Sequence, residues 1–342
     1  MSSTIQPETI LRELAELWIS LGKDTQPGPT SGVLRACTMT LVAMAEESED
    51  PSNVWAVMAA LMPEHPSRAI VIRFRQSAER ELSSRVFSQC WMPFGQRRQI
   101  CCEQIEITAS DASLPDLPAV IVPLAVSDLP VILWCRGSRL AHLPDFPLLA
   151  RVAHKLIVDS AVFDDPAGIL NWLERSSSSG QVLGDLAWTR LTRWRELVAQ
   201  IFENRSYLAR LSAIDEIRIG YGGTAVPVSA YYLAAWLLDS LEKAGAKARI
   251  QMESIPDAPG GTLARLELAG TQSDAMKLVI NVSGDAERQC ADLEVDALSN
   301  RTVFPADNDY SLLREELSIT GRDPVYAKTL EWAARLANGG NL

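Results

Sequence analysis

Short apolar runs separated by helical patterns constrain this chain more than any single motif. CTMTLVAMA (37–45), AIVIRF (69–74), RVFSQCW (85–91), QICCEQIEIT (99–108), VILWC (131–135) and KLIVDS (155–160) read as strands. Helical spacing lies around and between them. Ile10, Leu14, Leu17 and Leu21 recur over 7–21, SNVWAVMAALM (52–62) reads as a helix capped by Ser52, and Asp145–Val152 and Asp165–Glu174 read as two more. DLPAVIVPLAV is compatible with either state. Alternation of this kind predicts an α/β sheet.

Two composition breaks divide the chain. QPGPTSG (26–32) reads as a flexible connector, and RSSSSGQVLG (175–184) is the sharper break. The expected domains are therefore 1–178 and 179–342. The second half reads as strand, glycine turn, a long helix over 226–244 ending near Gly245, then strand. TLARLELAG, AMKLVINVSG and RQCADLEVD follow as three strands joined by short turns, which implies an antiparallel meander. Two helices, over 309–318 and 324–337, close the chain. The predicted architecture is two α/β domains with mixed sheets, the second containing the meander.

Charge excludes some function classes. The 342 residues carry a formal net charge of −11, which argues against a nucleic-acid binder, whose affinity rests on neutralising phosphates, and disfavours anionic lipid. Pro118, Pro123, Asp128 and Pro130 interrupt the longest apolar region, so it does not suit a membrane span. The first twenty residues lack a basic flank followed by an apolar run, and a cytoplasmic location is expected. Six cysteines form no CxxC pair and three histidines complete no zinc pattern, so no metal or other cofactor is expected. Adjacent Cys101 and Cys102 would point to opposite faces of a strand. They read either as buried thiols or as a redox site, which needs an accessible thiolate of low pKa.

No residues match a nucleophile, base and orienter, and no G-x-S-x-G is present, so a hydrolase is not indicated. GYGGTA (220–225) has the spacing of a dinucleotide fingerprint and lies between a strand and a helix, with Gly220, Gly222 and Gly223 as a possible phosphate loop. The meander that follows, and the distance to Glu253, favour a tight strand-to-helix turn instead. VSDLPVILWCRG (126–137) leaves two readings open. Trp134 and Arg136 stand either at the ligand-binding end of a parallel strand or in a buried strand with Arg136 paired to an acid. In GDLAWTRLTRWRELVAQIFE (184–203), Thr192 is the expected cap. Trp194, Leu197, Val198 and Ile201 form an apolar stripe that reads as core, while Asp185, Trp188 and Arg190 precede the helix and are expected to face outward.

HPSRAIVIRF (65–74), PLAVSDLPVILWCRG (123–137), DSAVFDDP (159–166) and GDLAWTRLTRWRELVAQIFE, with CTMTLV (37–42), resemble the glucose-6-phosphate dehydrogenase assembly protein family, OpcA. The resemblance implies a non-catalytic accessory protein that binds glucose-6-phosphate dehydrogenase and favours its active assembled form. That enzyme oxidises glucose 6-phosphate with NADP and opens the pentose phosphate pathway. Under this reading Trp134, Arg136, Asp185, Trp188 and Arg190 are the candidate partner-binding residues. The alternative is a nucleotide- or sugar-phosphate-binding enzyme built on the Gly220–Ala225 loop.

Overall fold

The computed structural model describes residues 5–24, 33–92, 99–272, 275–284, 289–304 and 306–340. The expected connector at 26–32 lies outside the described residues. In chain order the elements are α1 (Pro7–Asp24), β1 (Val33–Arg35), β2 (Met39–Glu46), α2 (Pro51–Leu61), β3 (Ser67–Arg75), β4 (Leu82–Trp91), β5 (Gln99–Ser110), α3 (Leu117–Leu124), β6 (Val131–Cys135), α4 (Ser138–Ala141), α5 (Phe146–Ala150), β7 (Lys155–Val158), α6 (Pro166–Ser178) and β8 (Val182–Asp185). They continue with α7 (Leu186–Thr189), α8 (Thr192–Phe202), α9 (Arg205–Leu208), β9 (Glu216–Tyr221), α10 (Val228–Lys243), β10 (Arg249–Ser254), β11 (Leu263–Ala269), β12 (Leu278–Gly284), β13 (Gln289–Val295), β14 (Leu298–Phe304), α11 (Asp309–Ser318) and α12 (Pro324–Ala337).

The chain forms two compact units that interleave along the sequence. The first comprises 1–159, 181–184 and 309–321; the second comprises 160–180, 185–308 and 322–342. The serine run that marks the composition break is the last turn of α6. Ser176 Oγ donates to the Trp172 carbonyl at 2.8 Å, and the chain turns just beyond at Gly180, whose φ is +98°. Asp165 caps that helix, accepting from Gly168 N at 3.0 Å, with Pro166 as its first residue.

The first unit is built on a sheet of order β1-β5-β3-β2-β6-β7-β8. The pairs β1/β5, β5/β3, β3/β2, β2/β6 and β6/β7 are parallel. β5 pairs with β1 and then β3 along one side and with antiparallel β4 along the other. β2, β6 and β7 are buried almost without interruption, as parallel strands covered on both faces must be. Strand order reverses between β2 and β6, which defines a topological switch point. Two local expectations change. α2 is capped by Asp50 rather than Ser52, because Pro51 takes the first helical position and moves the cap back; Asp50 Oδ1 accepts from Ser52 N at 2.9 Å. The ambiguous proline-rich run resolves as the end of a 3₁₀ turn at Asp116 followed by helix, with Pro118 in the first turn of α3.

The second unit's sheet has the order β10-β9-β11-β12-β13-β14. β9 and β10 are parallel and connected through α10, and the remaining pairs are antiparallel. Ile217, Ile219, Leu266, Leu268 and Ile280 bury one face of this sheet, and Tyr232, Leu233 and Ala234 of α10 are fully buried. α12 packs against α10 and α6. The meander has a fourth strand, β14, beyond the three expected.

Candidate functional site

At the switch point of the first unit, the carboxyl ends of β2 and β6 carry AEESEDPSN and RGSR instead of a glycine-rich loop. Trp134 is only 1% exposed, which removes it as a surface anchor. Arg136 folds back over it, its guanidinium 4.5 Å from the ring centroid, and pairs with Glu49 at 3.0 Å and Asp309 at 2.6 Å. Of the two readings left open, the paired arginine in a buried strand is the one observed. Beside it Arg139 pairs with Glu46 at 2.5 Å and with Asp111 at 2.6 Å. The start of α2, where a phosphate would sit in a nucleotide-binding sheet, is taken by the Asp50 carboxylate. Hydrogen bonding from Ser52 holds that carboxyl below its ordinary pKa. This crevice is filled by the protein's own ions.

The segment after β8 is also more internal than expected. Asp185 is fully buried and caps α7. Its Oδ1 accepts from Ser160 N at 3.0 Å and Ala187 N at 2.9 Å, and its Oδ2 accepts from Tyr232 Oη at 2.7 Å. Burial, then the Asp185 charge, pushes the Tyr232 phenol well above its usual pKa. Trp188, expected to face outward, is 3% exposed. Its indole N–H reaches Asp323 Oδ2 at 3.4 Å, Tyr232 and Tyr326 lie edge-on and tilted against it, and the Arg195 guanidinium covers its face at 3.7 Å. The helical phase of 186–189 and two tyrosines distant in sequence decide this outcome, and neither is visible in the local residues. Trp194 is core as expected and meets Phe304 edge-on at 5.6 Å. Thr192 is not the cap of α8 but its first residue, and its hydroxyl accepts from Arg195 at 2.8 Å. Arg190 is half-buried.

The glycines of GYGGTA serve packing. A Cβ on Gly222 would lie 2.0 Å from the Pro259 carbonyl oxygen, and one on Gly220 would lie 2.3 Å from Ile255 Cδ1. Gly222 N donates to Thr262 O at 2.9 Å and its carbonyl accepts from Gly261 N at 3.0 Å. Gly223 has φ +96°, and its carbonyl accepts from Ser254 Oγ at 2.6 Å. The close approach of residues 255–262 therefore explains the spacing, and the Gly222 amide that a phosphate would need is already used.

Cys101 and Cys102 diverge as the strand geometry predicts. Cys101 is disulfide-bonded to Cys90, its directly opposite partner on β4, with Cα atoms 4.1 Å apart. Cys90 was not singled out in the sequence; its register against Cys101 is the signal that identifies it. Cys102 is fully buried, and burial pushes its thiol up to about 11.

Within the second unit lies a cavity of about 700 Å³. Its lining includes Arg190, Leu191 and Trp194, Asp257 and Arg265 of the loop and strand that follow β10, and Phe304. It brings Arg190 together with the loop that covers the glycines. Among the described residues no helix is long and apolar enough to cross a membrane.

Residues 58–175 match the family described as glucose-6-phosphate dehydrogenase subunit N-terminal domain, and residues 181–330 the corresponding C-terminal domain. A putative OxPP cycle protein OpcA of Nostoc punctiforme is 34% identical over 143 residues, covering 42% of this chain and 30% of that protein. Its namesake from Synechocystis sp. is 32% identical over 126 residues, covering 37% and 26%. The chain thus spans less than a third of the length of either relative along the match. A third, from Synechococcus elongatus, is 24% identical over 300 residues, covering 78% and 67%. Among solved structures, KijD10, a 3-ketoreductase from Actinomadura kijaniata with NADP and TDP-benzene, aligns over 88% of this chain and 96% of its own at a TM-score of 0.48 and 10% identity, and no function carries over at that distance. The two domain matches, meeting at the serine-rich break and together covering most of the sequence, establish that this chain belongs to the glucose-6-phosphate dehydrogenase subunit family, OpcA.

Proposed function

We propose that this protein is a non-catalytic, cytoplasmic assembly factor that binds glucose-6-phosphate dehydrogenase and favours its active form. The carrying observation is the match of both halves to the dehydrogenase subunit family. An activator shifts a two-state equilibrium only through a higher affinity for the active state, and a hundredfold preference supplies about 2.7 kcal/mol. Linkage then requires glucose 6-phosphate to tighten the complex. Of the five residues proposed for docking, Trp134, Asp185 and Trp188 act in this reading by holding the fold, and Arg136 is engaged with Glu49 and Asp309. Arg190, half-buried beside the cavity, is the proposed contact.

The enzyme reading based on Gly220–Ala225 loses its support, because Gly222 is packed against backbone and its amide is engaged. The test is a dehydrogenase assay with the cognate enzyme, with and without this protein, across substrate concentration. A lowered apparent KM or a raised maximal rate is expected, with tighter association in the presence of substrate. Unchanged kinetics and unchanged oligomeric state would sink the proposal.

A further inference from the structure

The second unit's sheet ends in two edges, and they are not alike. β10 carries exposed Arg249 and Glu253, charges of the kind that guard a free edge. β14 carries a single charge, Arg301, and the two most exposed large apolar side chains among the described residues, Leu298 at 67% and Val303 at 77%. The backbone of β14 is equally open. Asp296 N donates to Lys277 O at 2.9 Å, so the even-numbered residues of β13 bond towards β12. The odd-numbered ones bond to Leu298, Asn300, Thr302 and Phe304. The N–H and C=O groups of Ser299, Arg301 and Val303 therefore face outward, and among the described residues no backbone group meets them. On the core side of the strand, Thr302 and Phe304 line a groove of about 360 Å³ with Leu197 and Gln200 of α8. Leu298 lies on that same side, opposite buried Val295, and is uncovered.

We propose that β14 pairs with β14 of a second copy of this chain, antiparallel and centred on Asn300, joining the two six-stranded sheets edge to edge. In that register Ser299 lies opposite the partner's Arg301, and each such pair exchanges its free backbone hydrogen bonds. Leu298 lies opposite the partner's Thr302 and fills the groove beside it. Arg301 stands in one row between Asp292, with which it pairs at 3.4 Å, and the partner's Glu294, which lies just past the partner's Ser299. Two strand spacings, about 10 Å between Cα atoms, separate Arg301 from that glutamate, within the joint reach of the two side chains. Charge and shape thus select both the occupant and the register. Centring the pair on Arg301 would set the two arginines opposite each other, and centring it on Thr302 would carry Leu298 past the end of the partner strand. The contact uses one strand of this chain and asks nothing of the dehydrogenase.

Sedimentation velocity and light scattering of the full chain, without dehydrogenase, test this. A dimer is expected at micromolar concentration. Ser299→Pro removes an outward N–H and leaves the ladder to β13 intact, so it should raise the dimer dissociation constant at least about tenfold with an unchanged circular dichroism spectrum. Leu298→Asp, at a side chain already exposed in the single chain, should do the same. Asn300→Cys places two thiols at the two-fold axis, about 4.5 Å apart at Cα for a non-hydrogen-bonded pair, and should give a disulfide-linked dimer on a non-reducing gel. Val303→Cys and the parent should not. A monomer at every concentration, a dimer unaffected by both Ser299→Pro and Leu298→Asp, or cross-linking through Val303→Cys and not through Asn300→Cys would each overturn the proposal. Dehydrogenase activation is read separately, so either idea can fail without the other.

Discussion

Trp188 shows how far a residue's role depends on contacts its neighbours in sequence do not reveal. Its indole is enclosed by Tyr232, Tyr326 and Arg195 and bonded to Asp323. Trp188→Ala should therefore cost roughly 3–5 kcal/mol in urea unfolding, by the usual loss for a buried large aromatic. Arg190→Ala should cost no more than about 1 kcal/mol yet reduce dehydrogenase activation. Activation by Arg190→Ala equal to that of the parent would place the contact elsewhere. Gly222→Ala drives a methyl group into the Pro259 carbonyl and should destabilise the 255–262 loop by roughly 1–3 kcal/mol, read as a lower Tm. Cys102 gives a pH test. Its thiol is neutral in the fold up to about 11 and ionises in the unfolded chain near the ordinary thiol value of 9.0. The stability it contributes is complete below pH 9 and falls as pH rises towards 11. Cys102→Ala should flatten the loss of Tm across that window.

Elements were legible where periodicity and burial agree. The runs at VILWC and KLIVDS became fully buried β6 and β7, and the stripe of Trp194, Val198 and Ile201 became the inner face of α8. β14 was missed because Leu298, Ser299, Asn300 and Arg301 are all exposed, so no apolar face marks them; pairing with β13 makes them a strand. The cap of α2 was misplaced by two residues because Pro51 outweighs Ser52. The candidate site was less legible than the fold. Nothing local says that Gly222 faces Pro259 or that Tyr232 donates to Asp185. At this scale half-buried Asp323 is the lever. It accepts from Val325 N at 2.8 Å and Tyr326 N at 3.1 Å and also holds Trp188. Asp323→Ala should cost about 1–2 kcal/mol and weaken amide-exchange protection first in α12.

Across the whole molecule the chain does not finish one unit before beginning the other. Segment 309–321 belongs with 1–159, and its anchor is Lys155. That ammonium is 2% exposed, pairs with Glu316 at 2.6 Å, and donates to the carbonyls of Glu316 and Ile319 at 2.9 and 2.7 Å. Gly184 belongs to the same join, since a Cβ there would lie 2.3 Å from Glu316 Oε1. Lys155→Met leaves a buried carboxylate unpaired and should destabilise by roughly 3–5 kcal/mol in denaturant unfolding. A fragment ending at residue 178 lacks both β8 and α11, and should show no cooperative thermal transition despite containing the whole matched N-terminal family domain. The serine-rich run lies between the two family matches, but composition cannot report a later segment returning to an earlier sheet.

That return sets an order on synthesis. Lys155 leaves the ribosome 161 residues before the carbonyl it will bind. At the usual rate of elongation this is a delay on the order of ten seconds or more. Until then the seat of α11 stands open and its buried cation has no counter-ion. A ribosome stalled anywhere before residue 321 therefore releases a chain with both units unfinished.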